Sequence, residues 1–518
     1  MSLPLSALWR YGIVGRYFAK KYTMRSVNAV KKGGLGMNDV MSKFAEKLNK
    51  FYMGRLYPTV VCALVLLGFI FSKEQIFIPI IVLMACLAFW VCRSVRPLVT
   101  PLCTFIYSLS NNNAIFGEDA SNYYFTGWRI VALVLLAIFA AASIVAFVAR
   151  SGIISKMIIK KTPLLFPLIL LSVSFLCCGL LSDKWVIIDL LYGSFQVLSF
   201  LVVYVLFYHG FGDDEGAVEL GDYFSYVTLL MSLVLITEMV WLYTSGDGVI
   251  SSEGEIVKAL IVFGWGSCNN AGVYLAMLIP MNFYGAKRSR FPIVYFLVAA
   301  ATYCAAVLTL SRNALLCATL VYVCCLVGFS LLGEGKRRRF FAYGALAITL
   351  CVAVVYVVYR EPLLLALHSY AEQGASDSGR FEIWRKSILA FLENPIFGNG
   401  FYQELETGTM KASFIPAMSH NTVFQLLSGM GIVGFLSYVI YRISSLRAFF
   451  VRPELLKTML GLSMLVLLFE SMFDNFIFQI HPVFYYSIAM AIAYRRHNEQ
   501  LVWRPLIKAE EIKLELRR

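Results

Sequence analysis

Residues 419–441 read SHNTVFQLLSGMGIVGFLSYVIY, twenty-three positions without one Asp, Glu, Lys or Arg. At 1.5 Å rise per residue, an apolar run of about 20 residues crosses ~30 Å of hydrocarbon as a helix. His420 and Asn421 open the run, nine residues lead to Gly431, and two more separate it from Gly434. An imidazole at the mouth of a span can hold a base beside a lipid-bound substrate, and glycines deeper in the helix let a neighbouring helix approach closely.

The chain around this segment is of the same kind. It is 59% hydrophobic and 15% charged, with a mean hydropathy of +0.72 over 518 residues, which rules out a soluble globule. The apolar segments lack the two-residue alternation of barrel strands. The reading is an all-α polytopic membrane protein, with about 12–14 transmembrane helices and one large extracytoplasmic loop. Fourteen candidate spans fall at 57–72, 76–92, 97–116, 128–149, 163–181, 185–208, 222–246, 257–285, 291–311, 313–333, 340–359, 421–443, 455–473 and 476–494. The third contains Pro101 and ends in the polar run Ser110 to Asn113, but the charge pattern requires a crossing there.

Charge sets the orientation, because Lys and Arg collect on the cytosolic side. The first 50 residues carry ten Lys or Arg against Asp39 and Glu46, so they form a cytosolic arm rather than a signal peptide. Lys287 to Arg290, Lys336 to Arg339, the loop of Arg442, Arg447, Arg452 and Lys457, and Arg495 with Arg496 then all lie inside, as do both termini. The net charge of +14 is accounted for by topology and anionic lipid, not nucleic acid. The resulting organisation is a basic arm with an interfacial helix (1–56), transmembrane helices (57–359), an extracytoplasmic loop (360–420), C-terminal transmembrane helices (421–494) and a cytosolic tail (495–518). Met37 to Tyr52 places Val40, Met41, Phe44, Leu48, Phe51 and Tyr52 on one face, as an interfacial helix requires. The acidic stretch Asp213, Asp214, Glu215 and Glu219 reads as a solvated connector. The twelve cysteines lie in or beside apolar stretches as small hydrophobes, with neither a disulfide framework nor metal-ligand spacing.

Chemistry is to be sought at the loop. Its sequence suggests a helix near Pro362 to Glu372, a Gly/Ser break, a helix from Gly379 to Glu393, and a turn from Asn394 to Gly400. Arg312, in the tight Ser311-Arg312-Asn313 connection, faces the same side as Arg380 and as Arg360, which ends a span. Arginine forks hold a phosphate or diphosphate at any pH, although a lone boundary arginine such as Arg360 also fits simple snorkelling. Asn269 and Asn270 fall about 16–18 Å into the bilayer if their helix starts near Lys258, where they line a cavity or bond to neighbouring helices. Glu470, Asp474 and His481 sit near the same rim, each a candidate to orient His420 or an acceptor sugar.

Taken in order, these residues resemble the O-antigen ligase and O-antigen polymerase superfamily of bacterial membrane glycosyltransferases. The resemblance rests on Ser311-Arg312, then GRFEIWRKSILAFLENP (379–395) with Arg380 and Trp384, then PIFGNG (395–400), then His420-Asn421 with Gly431 and Gly434. GWGSCNNAGVYLAMLIP (264–280) resembles the family's Asn-bearing helix, and the likeness covers roughly residues 255 to 445. The long basic arm and the fourteen spans, where about twelve are common, depart from the pattern.

The resemblance implies a GT-C-type transferase in the bacterial cytoplasmic membrane, with its active site on the extracytoplasmic side. It would move a glycan from undecaprenyl diphosphate onto a hydroxyl of a glycan or lipid-linked acceptor, with membrane lipids and other polysaccharide-assembly proteins as partners. Arg312 and Arg380 would stabilise the diphosphate and His420 would take the acceptor proton. Arg360, Asn269, Asn270, Asn421 and Trp384 would bind substrate, with no metal and no cofactor. A polymerase is slightly preferred to a ligase, because GWGSCNN resembles relatives from organisms without lipopolysaccharide. A secondary transporter or lipid flippase, which should show paired discontinuous helices and midplane charges, and a structural assembly partner are the alternatives.

Overall fold

The computed structural model describes residues 37–71, 74–108, 127–159, 161–245, 261, 268–333, 335–358, 360, 379–405, 413–416, 419–450, 454–478 and 480–495. The chain divides into two units, Met1–Tyr52 and Met53–Arg518. In the first, the expected amphipathic segment forms one continuous helix, α1 (Met37–Met53), with Lys43, Phe44, Lys47 and Lys50 all exposed.

Among its described residues the second unit is all-α except for one hairpin. Its helices are α2 (Leu56–Phe71), α3 (Glu74–Val91), α4 (Val99–Ser108), α5 (Trp128–Ser151), α6 (Ile153–Ile159), α7 (Leu165–Leu176), α8 (Ile187–Gly210), α9 (Ala217–Thr244), α10 (Cys268–Arg288), α11 (Pro292–Leu308), α12 (Arg312–Leu332), α13 (Gly335–Val358), α14 (Arg380–Glu393), α15 (Thr422–Phe450), α16 (Leu455–Glu470) and α17 (Ile480–Ala493). Each of the fourteen segments read as spans carries a helix among its described residues. Among the described residues, α5, α8, α9, α12 and α15 are long and apolar enough to cross a membrane, and shorter apolar helices include Ile76–Val91, Leu165–Leu176, Pro292–Leu308 and Pro482–Ala493.

Helix α10 is the core of the bundle, buried from Asn270 to Ala286 between α9, α11, α12 and α16. Its sequence permits this. A side chain at Gly272 would strike the Ala314 Cβ, and one at Gly285 would strike the Tyr295 ring, so small residues bring the helices together as they do in lipid. By contrast α5 turns Val131, Leu135, Ile138 and Val145 outward, as an apolar helix against acyl chains does.

Several expectations are corrected here. Ile261 is not helical, so Asn269 and Asn270 do not lie on one unbroken helix running from near Lys258, and the helix described around them spans Cys268–Arg288. The acidic stretch is solvated at Asp213, Asp214 and Glu219, as expected, but Glu215 departs from that reading and forms a clasp. Glu215 is 4% exposed, its carboxylate accepts from Ser94 Oγ at 2.6 Å and from the Gly212 N–H at 2.6 Å, and Arg96 donates to Glu219 at 2.7 Å. Arg495 closes the clasp by donating to the Glu215 carbonyl at 2.9 Å. Arg442 lies within α15 and is buried, not in a basic loop. A hairpin that the sequence did not announce joins β1 (Tyr402–Leu405) to β2 (Ser413–Pro416), antiparallel with Tyr402 opposite Pro416, because four-residue strands are too short to show a period. The helix expected near Pro362 to Glu372 lies outside the described residues.

Candidate active site

Helix α15 starts from a capped and cross-linked turn. Asn421 Oδ1 accepts the N–H groups of Val423 at 2.8 Å and Phe424 at 3.3 Å, satisfying donors that a helix start leaves unpaired. Its Nδ2 donates to the Met472 carbonyl at 2.6 Å, and the Thr422 N–H donates to the Ser471 carbonyl at 2.8 Å. Asn421, expected to bind substrate, therefore joins the turn after α16 to the first turn of α15.

That stitching brings Asp474 to His420. Nδ1 of the imidazole stands 3.3 Å from Asp474 Oδ1, with side chains 37% and 18% exposed. With Nδ1–H donating to the carboxylate, Nε2 is left as the basic nitrogen. His420 adopts a left-handed backbone, φ 47, a conformation that costs a non-glycine residue about 1–3 kcal/mol and recurs where function over-determines geometry. Gln425 supports the arrangement from below, its Oε1 accepting from Ser419 N and from Asn475 Nδ2, each at 2.8 Å. Gln425 and Asn475 were not singled out from sequence. Gln425 lies one helical turn after Asn421, and that spacing was the available signal.

The loop helix α14 docks on the same turn. Trp384 Nε1 donates to the Ser419 carbonyl at 3.0 Å, its ring stacks on Phe424 at 5.3 Å, and Ser387 Oγ lies 2.8 Å from Ser419 Oγ. The described contacts make Trp384 an anchor for the loop helix. Arg380 stands one turn earlier on the face that carries Trp384. Trp384→Phe keeps the stack and loses the hydrogen bond, so a stability loss of about 1 kcal/mol is expected. An unchanged thermal midpoint would show that the indole N–H contributes nothing.

Arg312 opens α12 two residues after Leu310, a second left-handed non-glycine residue, φ 55. Ser311 packs on Gly272, within one turn of Asn269 and Asn270, so both asparagines share this end of the bundle with Arg312. Glu470, 1% exposed at the end of α16, interacts electrostatically with Cys317 of α12, and the chain runs from it straight into the turn carrying Asp474. Arg360 is exposed, and nothing in the described contacts draws it to His420. The His481 side chain lies outside the described set.

The PIFGNG turn has a different task. Gly431 breaks α15 at φ 64 and ψ −163, and the turn fills the break. Asn399 N donates to the Ser428 carbonyl at 2.8 Å, Gly400 N to Gly429 at 3.0 Å, and Ile432 N to Pro395 at 2.8 Å. A Cβ on Gly431 would strike the Ile396 carbonyl, so this glycine admits a loop and not a neighbouring helix. A Cβ on Gly434 would strike the Met430 Cβ, four residues back across the break. Asp189 of α8, a lone charge in WVIIDLLYG, secures the turn by accepting the Phe401 N–H at 2.6 Å and the Val186 N–H at 3.2 Å. A charge inside a span is a functional signal by default, and here it positions the loop.

The described contacts pair His420 with Asp474 and dock the loop helix that begins with Arg380 on the same turn, while Arg312 opens α12. Residues 295–439 match the family model described as O-Antigen ligase, a stretch running from α11 into α15 with Arg312, Arg380 and His420 inside it. No curated protein matches the chain. Over residues 295–439, this helical membrane chain is similar to the O-antigen ligase family.

Proposed function

We propose that the protein is a glycosyltransferase of surface-polysaccharide assembly, moving a glycan from undecaprenyl diphosphate to a hydroxyl acceptor at the extracytoplasmic face of the bacterial cytoplasmic membrane. The observation that carries this reading is the Asp474–His420 pair at 3.3 Å, set at the end of the bundle that also carries Arg312 and Arg380. Nε2 of His420 takes the acceptor hydroxyl proton as that oxygen bonds to the anomeric carbon. The bond from that carbon to the diphosphate oxygen breaks, and undecaprenyl diphosphate leaves against the two guanidinium groups. A second carrier-linked repeat as acceptor makes this a polymerase and a lipid A core sugar makes it a ligase. We place the polymerase slightly ahead on the GWGSCNN string alone.

The test is transfer by purified protein from undecaprenyl-diphosphate glycan, comparing wild type with Arg312→Ala. Wild type should release undecaprenyl diphosphate and extend or relocate the glycan, and the folded variant should not. Full activity should persist in EDTA, and loss of transfer in EDTA, restored by a divalent cation, would overturn the metal-independent mechanism. One observation touches the transporter reading, since α15 is discontinuous at Gly431, as transporter helices are. The break is filled by the 395–400 backbone rather than opening on a cavity, which favours a structural use. Labelled carrier lipid crossing vesicles without any transfer would reverse that judgement.

A further inference from the structure

The loop helix α14 carries an apolar face that its docking leaves uncovered. Trp384 and Ser387 turn toward the α15 start. Phe381, Ile388 and Leu392 fall on a different stripe, spaced i, i+7 and i+11, and are 66%, 45% and 64% exposed. Ile396, in the turn that follows, is exposed as well. Charge lies beside the stripe, where Arg385 donates to Glu382 at 3.0 Å and Lys386 is exposed. A helix with an apolar stripe, a charged face and little net hydrophobicity suits a membrane interface.

The far end of α14 fixes its level. Lys184 donates to Glu393 at 2.6 Å, Ser182 Oγ to Asn399 Oδ1 at 2.9 Å, and Gly179 N to the Phe397 carbonyl at 2.9 Å. All three donors belong to the connection between α7 and α8. It leads at Ile187 into α8, a helix of 24 residues that is apolar enough to cross a membrane. Such a helix is about 36 Å long against ~30 Å of hydrocarbon, so its first turn stands at a membrane boundary. Asp183 and Lys184, both exposed, precede that boundary. Past it, Ile187, Leu191 and Phe195 form an exposed stripe on α8, as a surface against acyl chains does. Leu180 and Leu181 are exposed beside the bonds to the 395–400 turn.

Exposed apolar patches rimmed by charge mark contact with a membrane or a protein. This one adjoins a surface that faces lipid, which selects the membrane. We infer that α14 lies in the membrane interface, with Phe381, Ile388, Leu392 and Ile396 among phospholipid acyl chains, instead of standing clear of the membrane. The helix that begins with Arg380 is thereby held at the level of lipid phosphates, where a diphosphate carrier presents its own. The choice of the outer leaflet rests on the proposed function, and the lipid contact does not.

The test uses the full chain in vesicles of dioleoyl phosphatidylethanolamine and dioleoyl phosphatidylglycerol, with p-benzoylphenylalanine placed singly at Leu392, at Ile388 or at Lys386. Lys386 is the control, about 120° round the helix from Leu392. After irradiation, intact-mass spectrometry reads what each probe has captured. Positions 392 and 388 should each gain one phospholipid, and position 386 several-fold less. Equal capture at all three positions, no lipid at 392 and 388, or a covalent dimer of the chain formed from 392 would each overturn the proposal. So would capture of undecaprenyl phosphate in place of phospholipid when it is added as a minor component, since the stripe would then be a groove for the carrier. If the 392 variant does not reconstitute, position 388 decides against 386. No glycan donor is needed, so the lipid contact can fail in an active transferase or hold in an inactive one.

Discussion

Replacing His420 by alanine should lower glycan transfer by about 10²- to 10⁴-fold, the usual contribution of a positioned general base, with little change in thermal midpoint because the imidazole is 37% exposed. Asp474→Asn should cost less, since asparagine still accepts from Nδ1–H and fills the same space while losing the charge that favours the imidazolium formed during transfer. The double variant tells a shared role from two separate ones. If Asp474 acts through His420, removing it from a protein already lacking the imidazole should cost nothing further. Additive losses would place Asp474 on the substrate by itself. Activity of His420→Ala equal to wild type would remove His420 from the chemistry altogether.

The parts of this molecule that hydropathy reports over long windows were readable in advance. Fourteen apolar segments fell on helices because a twenty-residue run averages out local irregularity. Charge counting reads less. Arg442 was grouped with Arg447 and Lys457 because the orientation rule counts positive residues near span ends whether or not they are buried, and only packing shows the guanidinium among tyrosines. The residues of the candidate site were visible one by one as His420, Arg312 and Arg380. Their supports were not. Asp474 is 54 residues from His420 in sequence, and no local period connects the α15 start with the turn after α16. Asn421 and Trp384 show the same limit from the other side. Their residue types suggested substrate contacts, whereas their hydrogen bonds go to backbone carbonyls at Met472 and Ser419.

The break in α15 carries the second large effect. Gly431→Ala should destabilise the protein by at least about 3 kcal/mol, combining the cost of a left-handed backbone for a residue with a Cβ with a collision that no rotamer relieves. The opposing atoms are the Ile396 carbonyl and the Phe397 N–H, both held in the turn that bonds to either side of the break, at Ser428 and Gly429 before it and Ile432 after it. Moving the loop to make room would leave those backbone groups unpaired inside the span, where each is costly. Gly328→Ala, inside α12, is the control. A Cβ there meets nothing within 4 Å, and alanine favours a helix interior over glycine, so its midpoint should stay level with wild type or rise slightly. Thermal unfolding in detergent separates the two, and a Gly431→Ala midpoint no lower than that of Gly328→Ala would mean that the loop and the broken helix are not locked together as drawn. The same variant bears on function. Arg380 and Trp384 sit on the helix that runs into this turn, so a protein that survives the substitution should lose transfer activity more steeply than it loses stability.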